Sequence, residues 1–266
     1  MACDPQTLLN AARCYLCLTE EQRALINLML LCRIASASSE TGLLLGLVAY
    51  WTMNEASSIT RQDAHTGNRD LAVGGPAGVP AGAGIISNAA SFGGVASPNT
   101  NYLTNAAGWH FPLGFTVTVW LKFTAIPAVD QSILGPYTYA GLSNGWQLVL
   151  VGSQSNNVAL RSSDGNVPAT DQAINPTLLS AGIWYFVSAI FDGANARVRV
   201  NNGAEYVDQH LAANASGLPL IIGSDITNIQ PMNGLVDELG IWSRQLSDAE
   251  LTAIFNVGAG LTYPFT

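Results

Sequence analysis

From Gly42 to the C-terminus the chain is a succession of short apolar or alternating runs, broken every ten or so residues by Gly, Asn, Asp or Pro. Such punctuation leaves no room for long helices. It predicts short strands in an antiparallel β-sandwich. The strands expected are Leu47–Met53, Tyr102–Leu103, Phe115–Phe123, Ser132–Leu134 and Trp146–Val151, then Asn157–Arg161, Trp184–Phe191, Ala196–Val200, Leu218–Ile222 and Gly234–Trp242. Asp192-Gly193 and Asn202-Gly203 are hairpin-type turns bracketing Ala196–Val200. Gly74–Gly84, rich in Gly, Pro and Ala, reads as an irregular surface loop. Ser247–Asn256 reads as a terminal helix, capped by Ser247 with Glu250 closing a capping box.

Residues 1–41 differ in kind. Asp4-Pro5 is an N-cap and first-turn pair, and Thr19-Glu20-Glu21-Gln22 is a second helix start. A helical hairpin followed by the linker Ser36–Thr41 is therefore expected, giving segments 1–41 and 42–266. Glu20–Ala35 is apolar around most of its circumference, so a lone hairpin cannot hide it. All four cysteines, Cys3, Cys14, Cys17 and Cys32, lie here. A four-thiolate zinc site, two disulfides or free packed thiols are all compatible with that spacing.

Charged residues make up 11% of the 266, against about 25% in ordinary soluble domains. The net charge is −8, and Lys122 is the sole lysine. Nucleic acids and anionic membranes require clustered Lys and Arg, which this chain lacks. The apolar stretches Ala24–Cys32 and Gly42–Tyr50 are too short to span a bilayer. Met1-Ala-Cys-Asp-Pro5 carries no basic n-region, so synthesis without leader-directed export is expected.

Five stretches carry a resemblance. Leu47–Glu55 looks like an opening "LVAYWPFDE" strand, and Asp63–Asn68 like the "DSSGN" loop that follows it. Phe115–Lys122 is similar to "FTVSAWVK". Gly182–Val187 with Phe191-Asp192-Gly193 is similar to a "GxWHHVA…DG" hairpin, and Gly234–Ser247 to the closing "GxIDEVRIYNRALS". In this order they resemble the laminin-G-like, concanavalin A-type jelly-roll family, which implies an all-β sandwich over some 220 residues. The fold hosts lectins, adhesins and glycanases, so the ligand does not follow from it. Retaining glucanases of this family carry Glu-x-Asp-x-x-Glu on one strand. No such run occurs among the seven Glu and eleven Asp residues, so no enzymatic activity is expected.

Asp237-Glu238 is the only adjacent acid pair beyond residue 41, and strand alternation would turn one inward and one outward. Asp63, Asn68 and Asp237 could hold a structural Ca²⁺, or the acids could accept hydrogen bonds from loop amides and arginines. Trp109, Tyr137, Tyr139, Asn144 and Trp146 form the candidate glycan platform, whereas Trp120, Trp184 and Trp242 read as packing. His65, His110 and His210 lack metal or triad spacing and read as loop residues.

A jelly roll that works outside cells, made without a leader, fits a phage virion protein, and Asp4–Leu18 resembles virion-protein N-termini. The expected role is a non-catalytic homo-oligomer docked to other virion proteins through residues 1–35, displaying a lectin-like domain to cell-surface glycans. The competing role is capsid decoration or fibre assembly without glycan binding, and a glycanase is the third.

Overall fold

The computed structural model describes residues 42–66, 68–96, 101–106, 108–138, 144–154, 156–164, 171–209 and 217–265. The expected helical hairpin, the four cysteines and His210 lie outside them. Residues from Leu43 onward form one compact unit.

Two eight-stranded antiparallel sheets make up this unit. The first contains β1 (Leu47–Trp51), β3 (Ala81–Ala83), β4 (Asn88–Gly93), β6 (Phe115–Phe123), β12 (Trp184–Phe191), β13 (Asn195–Val200), β14 (Tyr206–Gln209) and β16 (Asn233–Trp242). Its order is β14-β13-β12-β6-β16-β4-β3, with β1 also pairing β16. The second contains β2 (Ala72–Gly74), β5 (Tyr102–Asn105), β7 (Gln131–Gly135), β8 (Tyr137–Thr138), β9 (Asn144–Val151), β10 (Asn157–Asp164), β11 (Asp171–Ile174) and β15 (Leu220–Ile222). Its order is β11-β10-β9-β7-β15-β5-β2, with β8 on β9.

The alternation of β6 explains the stacking. Phe115, Val117, Val119, Leu121 and Phe123 face the second sheet and join the main core with Trp146, Leu148 and Leu150 of β9. The other face of the first sheet is also covered. Trp120, Phe186 and Trp242 lie in a second cluster with Leu251 and Ile254 of the terminal helix α1 (Asp248–Phe255) and Phe265 of the tail. Burial on both faces is why β12 reads as an almost unbroken apolar run. Ser247 and Glu250 form the expected capping box of α1.

The glycine-rich stretch is not a loop throughout. Gly74 closes β2, Val79 is fully buried, and Ala81–Ala83 pairs with β4. Small residues are what that pairing needs, because a Cβ at Gly82 would press into Leu235. Phe115 supplies the test of the core: its ring centroid lies 4.6 Å from Trp146 and 6.0 Å from Phe191. Phe115→Ala should lower the unfolding free energy by about 3–5 kcal/mol. This is read from the urea midpoint at unchanged slope.

Candidate functional site

Strand β16 changes partner half-way along. Asn233–Val236 pair with β4, whereas Leu239–Trp242 pair with β1. On its other side the register with β6 slips between Asp237 and Gly240. Glu238 sits in this bulge at φ 45°, a left-handed conformation rare for a non-glycine residue. The bulge cancels the alternation expected of adjacent residues, and both Asp237 (0% exposed) and Glu238 (2%) are buried.

Their oxygens are engaged. Asp237 Oδ2 accepts the N–H groups of Ile85 (2.8 Å) and Ile86 (3.1 Å), and Oδ1 accepts that of Glu238 (2.9 Å). The Tyr50 hydroxyl donates to Glu238 Oε2 at 2.6 Å. Gly84 lets this corner close, since a Cβ there would collide with Asp237 Oδ2. Burial pushes both carboxyls up, Asp237 to about 7 and Glu238 to about 8. The amide donors hold Asp237 lower, whereas the charge of Asp237 raises Glu238 further. At neutral pH the pair therefore shares protons and forms no open carboxylate couple.

The expected calcium donors answer amides instead. Asp63 Oδ1 accepts the N–H groups of Tyr50 and His65, and its Oδ2 accepts the Thr66 hydroxyl. Asn68 is exposed. Asp63 and Asp237 thus both accept hydrogen bonds from backbone amides. Among the described residues no three His, Cys, Asp or Glu side chains come together as a metal-binding group.

Three of the five residues of the expected aromatic platform are buried. Trp109 (2% exposed), Trp146 (2%) and Tyr137 (0%) are core residues. Trp146 faces inward from β9 and gives its indole N–H to the Trp109 carbonyl at 2.9 Å. Trp109 packs against Trp51 beneath the Arg69 guanidinium. Tyr139 lies outside the described residues, and Asn144 is described only through its backbone. His65 is half-buried beside Tyr263, and His110 is exposed in a loop.

A polar row that sequence reading missed crosses the far face of the second sheet. Gln147 of β9 stands opposite Arg161 of β10, which stands opposite Gln172 of β11. Arg161 Nε donates to Gln172 Oε1 at 3.0 Å, and its Nη2 pairs with Asp130 at 2.5 Å. Gln147 Nε2 donates to Gln230 Oε1 at 3.3 Å. Asp225 holds the loop carrying Gln230 by accepting the N–H groups of Ile229 and Gln230. Arg161 Nη1, Gln147 Oε1 and Ser132 Oγ have no hydrogen-bond partner among the described residues. The middle of the row is sealed, while Gln172 and Gln230 at its ends are half-buried. The register of amides and guanidinium across neighbouring strands was the available signal, but it needs the strand pairing to be seen.

The fold is an all-β antiparallel two-sheet sandwich of the jelly-roll kind. The chain belongs to the concanavalin A-like lectin/glucanases superfamily: the Laminin_G_3 family model matches residues 91–252, more than half of the sequence. None of the curated proteins matches it. Among solved structures, domain 4 of AbnA, a GH43 extracellular arabinanase from Geobacillus stearothermophilus in complex with arabinotriose, is similar. Its TM-score is 0.63 at 19% identity, covering 77% of this chain and 96% of that one. The binding domain of Paraclostridial Mosquitocidal Protein 1 follows at TM-score 0.62 and 15% identity, covering 81% of this chain and 53% of that one. The ligand-binding domain of botulinum neurotoxin serotype D, in complex with N-acetylneuraminic acid, has TM-score 0.60 and 12% identity, covering 83% and 53%. The chain thus spans about half the length of the two toxin domains and nearly all of the arabinanase domain. At these identities the likeness is one of fold.

The acid pair gives a pH signature. Each carboxyl stays protonated in the fold where the unfolded chain has already ionised, so stability falls as pH rises from about 4 through about 8. Glu238→Gln should roughly halve that slope, as measured by chemical denaturation between about pH 5 and pH 8. Equal slopes in the two proteins would show that Glu238 is ionised in the fold.

Proposed function

We propose that the chain is a non-catalytic binding protein whose jelly roll attaches to surface glycans. The observation carrying this reading is the state of the Asp237–Glu238 pair. Glycoside hydrolysis needs two carboxyl groups flanking a bond in an accessible cleft. Here the adjacent acids are sealed within the first sheet and tied to Ile85, Ile86 and Tyr50. At the ends of the second-sheet row the amides of Gln172 and Gln230 are half-buried, and they offer the hydrogen-bonding chemistry that sugar hydroxyls take. Two similar structures of the same fold were solved with saccharides, arabinotriose and N-acetylneuraminic acid.

Residues 1–35 complete the proposal. Their cysteines and broadly apolar helix-forming segment need a partner surface, which a homo-oligomer on a virion supplies. Individually weak contacts are then multiplied by copy number. The full chain on a glycan array should give saccharide signal and release no reducing sugar from polysaccharide. A silent array would leave the assembly role without glycan binding, and released sugar would make the protein a glycanase. Deleting residues 1–35 should reduce the native mass to that of a monomer while the melting transition of the sandwich persists.

A further inference from the structure

One row of the first sheet is left open by the elements that cover the rest. Phe186 and Trp120 lie under α1 and the tail, and Asp237, next along the same row, is sealed beneath the residues 84–86 corner. Two residues along the strands, about 7 Å away, the outward row reads Trp184 of β12, Lys122 of β6, Leu235 of β16 and Ser91 of β4. Each stands opposite the next. All four are half-buried. At inter-strand steps of about 4.8 Å the row spans about 14 Å.

Lys122 is unusual among the cations. Five of the six described arginines, Arg61, Arg161, Arg197, Arg199 and Arg244, lie within 4.0 Å of a carboxylate. The sixth, Arg69, lies over Trp109. Among the described residues the sole lysine has no acid beside it, and its Nζ sits 4.9 Å from the centroid of the Trp184 ring. An indole face stabilises an ammonium but leaves its charge uncompensated. In a chain of net charge −8 this is a local positive spot flanked by an aromatic rim and an aliphatic side chain.

We propose that Lys122, Trp184 and Leu235 form a binding site for the carboxylate-bearing sugar of an acidic glycan, an inference that rests on the glycan-binding reading above. The ligand carboxylate accepts a charge-assisted hydrogen bond from Nζ. The apolar face of the sugar ring packs along the exposed rim of Trp184 and on Leu235. The Ser91 hydroxyl stands at the far end of the row for a sugar hydroxyl. A phosphate would be better served by several cations or an arginine fork, and a neutral sugar would not need the ammonium.

The test uses the full chain against paired oligosaccharides that differ only in a carboxyl group, such as sialylated and desialylated glycans or uronate and hexose oligomers. The wild type should prefer the carboxylated member, with affinity falling as salt is raised. Lys122→Gln should weaken that binding roughly 10- to 100-fold, the loss from removing one charged hydrogen-bond partner. Lys122→Arg should retain most of it, and Trp184→Ala should also lose it while a cooperative melting transition persists. Carboxylate-preferring binding that survives Lys122→Gln would place the site elsewhere. Equal binding of the paired sugars would overturn the inference while leaving the glycan reading intact. No saccharide bound by the wild type would remove both. Equal competition by a polyglutamate peptide would reassign the row to an acidic protein partner.

Discussion

The fold turns on the place where β16 exchanges β4 for β1. One strand cannot keep a regular ladder with two successive neighbours on one side and with β6 on the other. The mismatch collects in the bulge at Asp237 and Glu238. That bulge puts a non-glycine residue at positive φ and buries two carboxyls, each unfavourable alone. The surrounding structure makes it tolerable with donors from two other segments, the Tyr50 hydroxyl of β1 and the amides of Ile85 and Ile86, together with the bulge's own Glu238 N–H. A proton held by the pair removes the remaining like-charge repulsion. The acid pair is thus the joint between β1, β16 and the β3–β4 corner, and a joint of this kind is poorly suited to chemistry on a substrate.

Covering the first sheet on both sides follows from the same joint. Tyr50 points to the outer face, where Tyr263 of the tail stacks on it at 5.2 Å and Phe265 meets it edge-on at 5.1 Å. The tail and α1 together shield Trp120, Phe186 and Trp242. This cover ends before the Trp184–Lys122–Leu235 row, so the sheet's outer face divides into a sealed part and a half-open part. Meanwhile the amide-rich row on the second sheet retains unmatched polar atoms at its centre. Family membership says nothing of which face binds, because this fold carries sites as local additions to a common frame.

Strands whose pattern came from burial alone were legible. Phe115–Phe123 and Trp184–Phe191 match their observed limits, because a core strand announces itself through β-branched and aromatic residues. The strands overlooked, such as Asn88–Gly93 and Tyr206–Gln209, are short and carry only one or two large apolar side chains each, so their place is set by neighbours. Ala81–Ala83 was hidden for the same reason, its Gly and Ala serving close approach. The Asp237–Glu238 prediction failed because period-2 alternation presumes a regular ladder, and a bulge leaves no mark in composition. Trp109 and Trp146 were misplaced because a tryptophan near loops looks the same in sequence whether it faces water or core. Lys122 did carry a signal: a lone lysine at the outward phase of an otherwise apolar strand.

That lysine also shows why net charge is a poor guide to what this protein binds. At physiological ionic strength fields decay over about 8 Å, so most of the chain's acids scarcely act on a ligand at the Trp184–Lys122 row. What a carboxylate meets there is set by the nearest groups: an ammonium without an acid partner, an indole and a leucine. Long-range repulsion from an acidic surface slows the approach of an anion, while short-range pairing governs how long it stays. A lone cation in an acidic surface therefore discriminates by contact, admitting an anion only where an apolar ring face accompanies it.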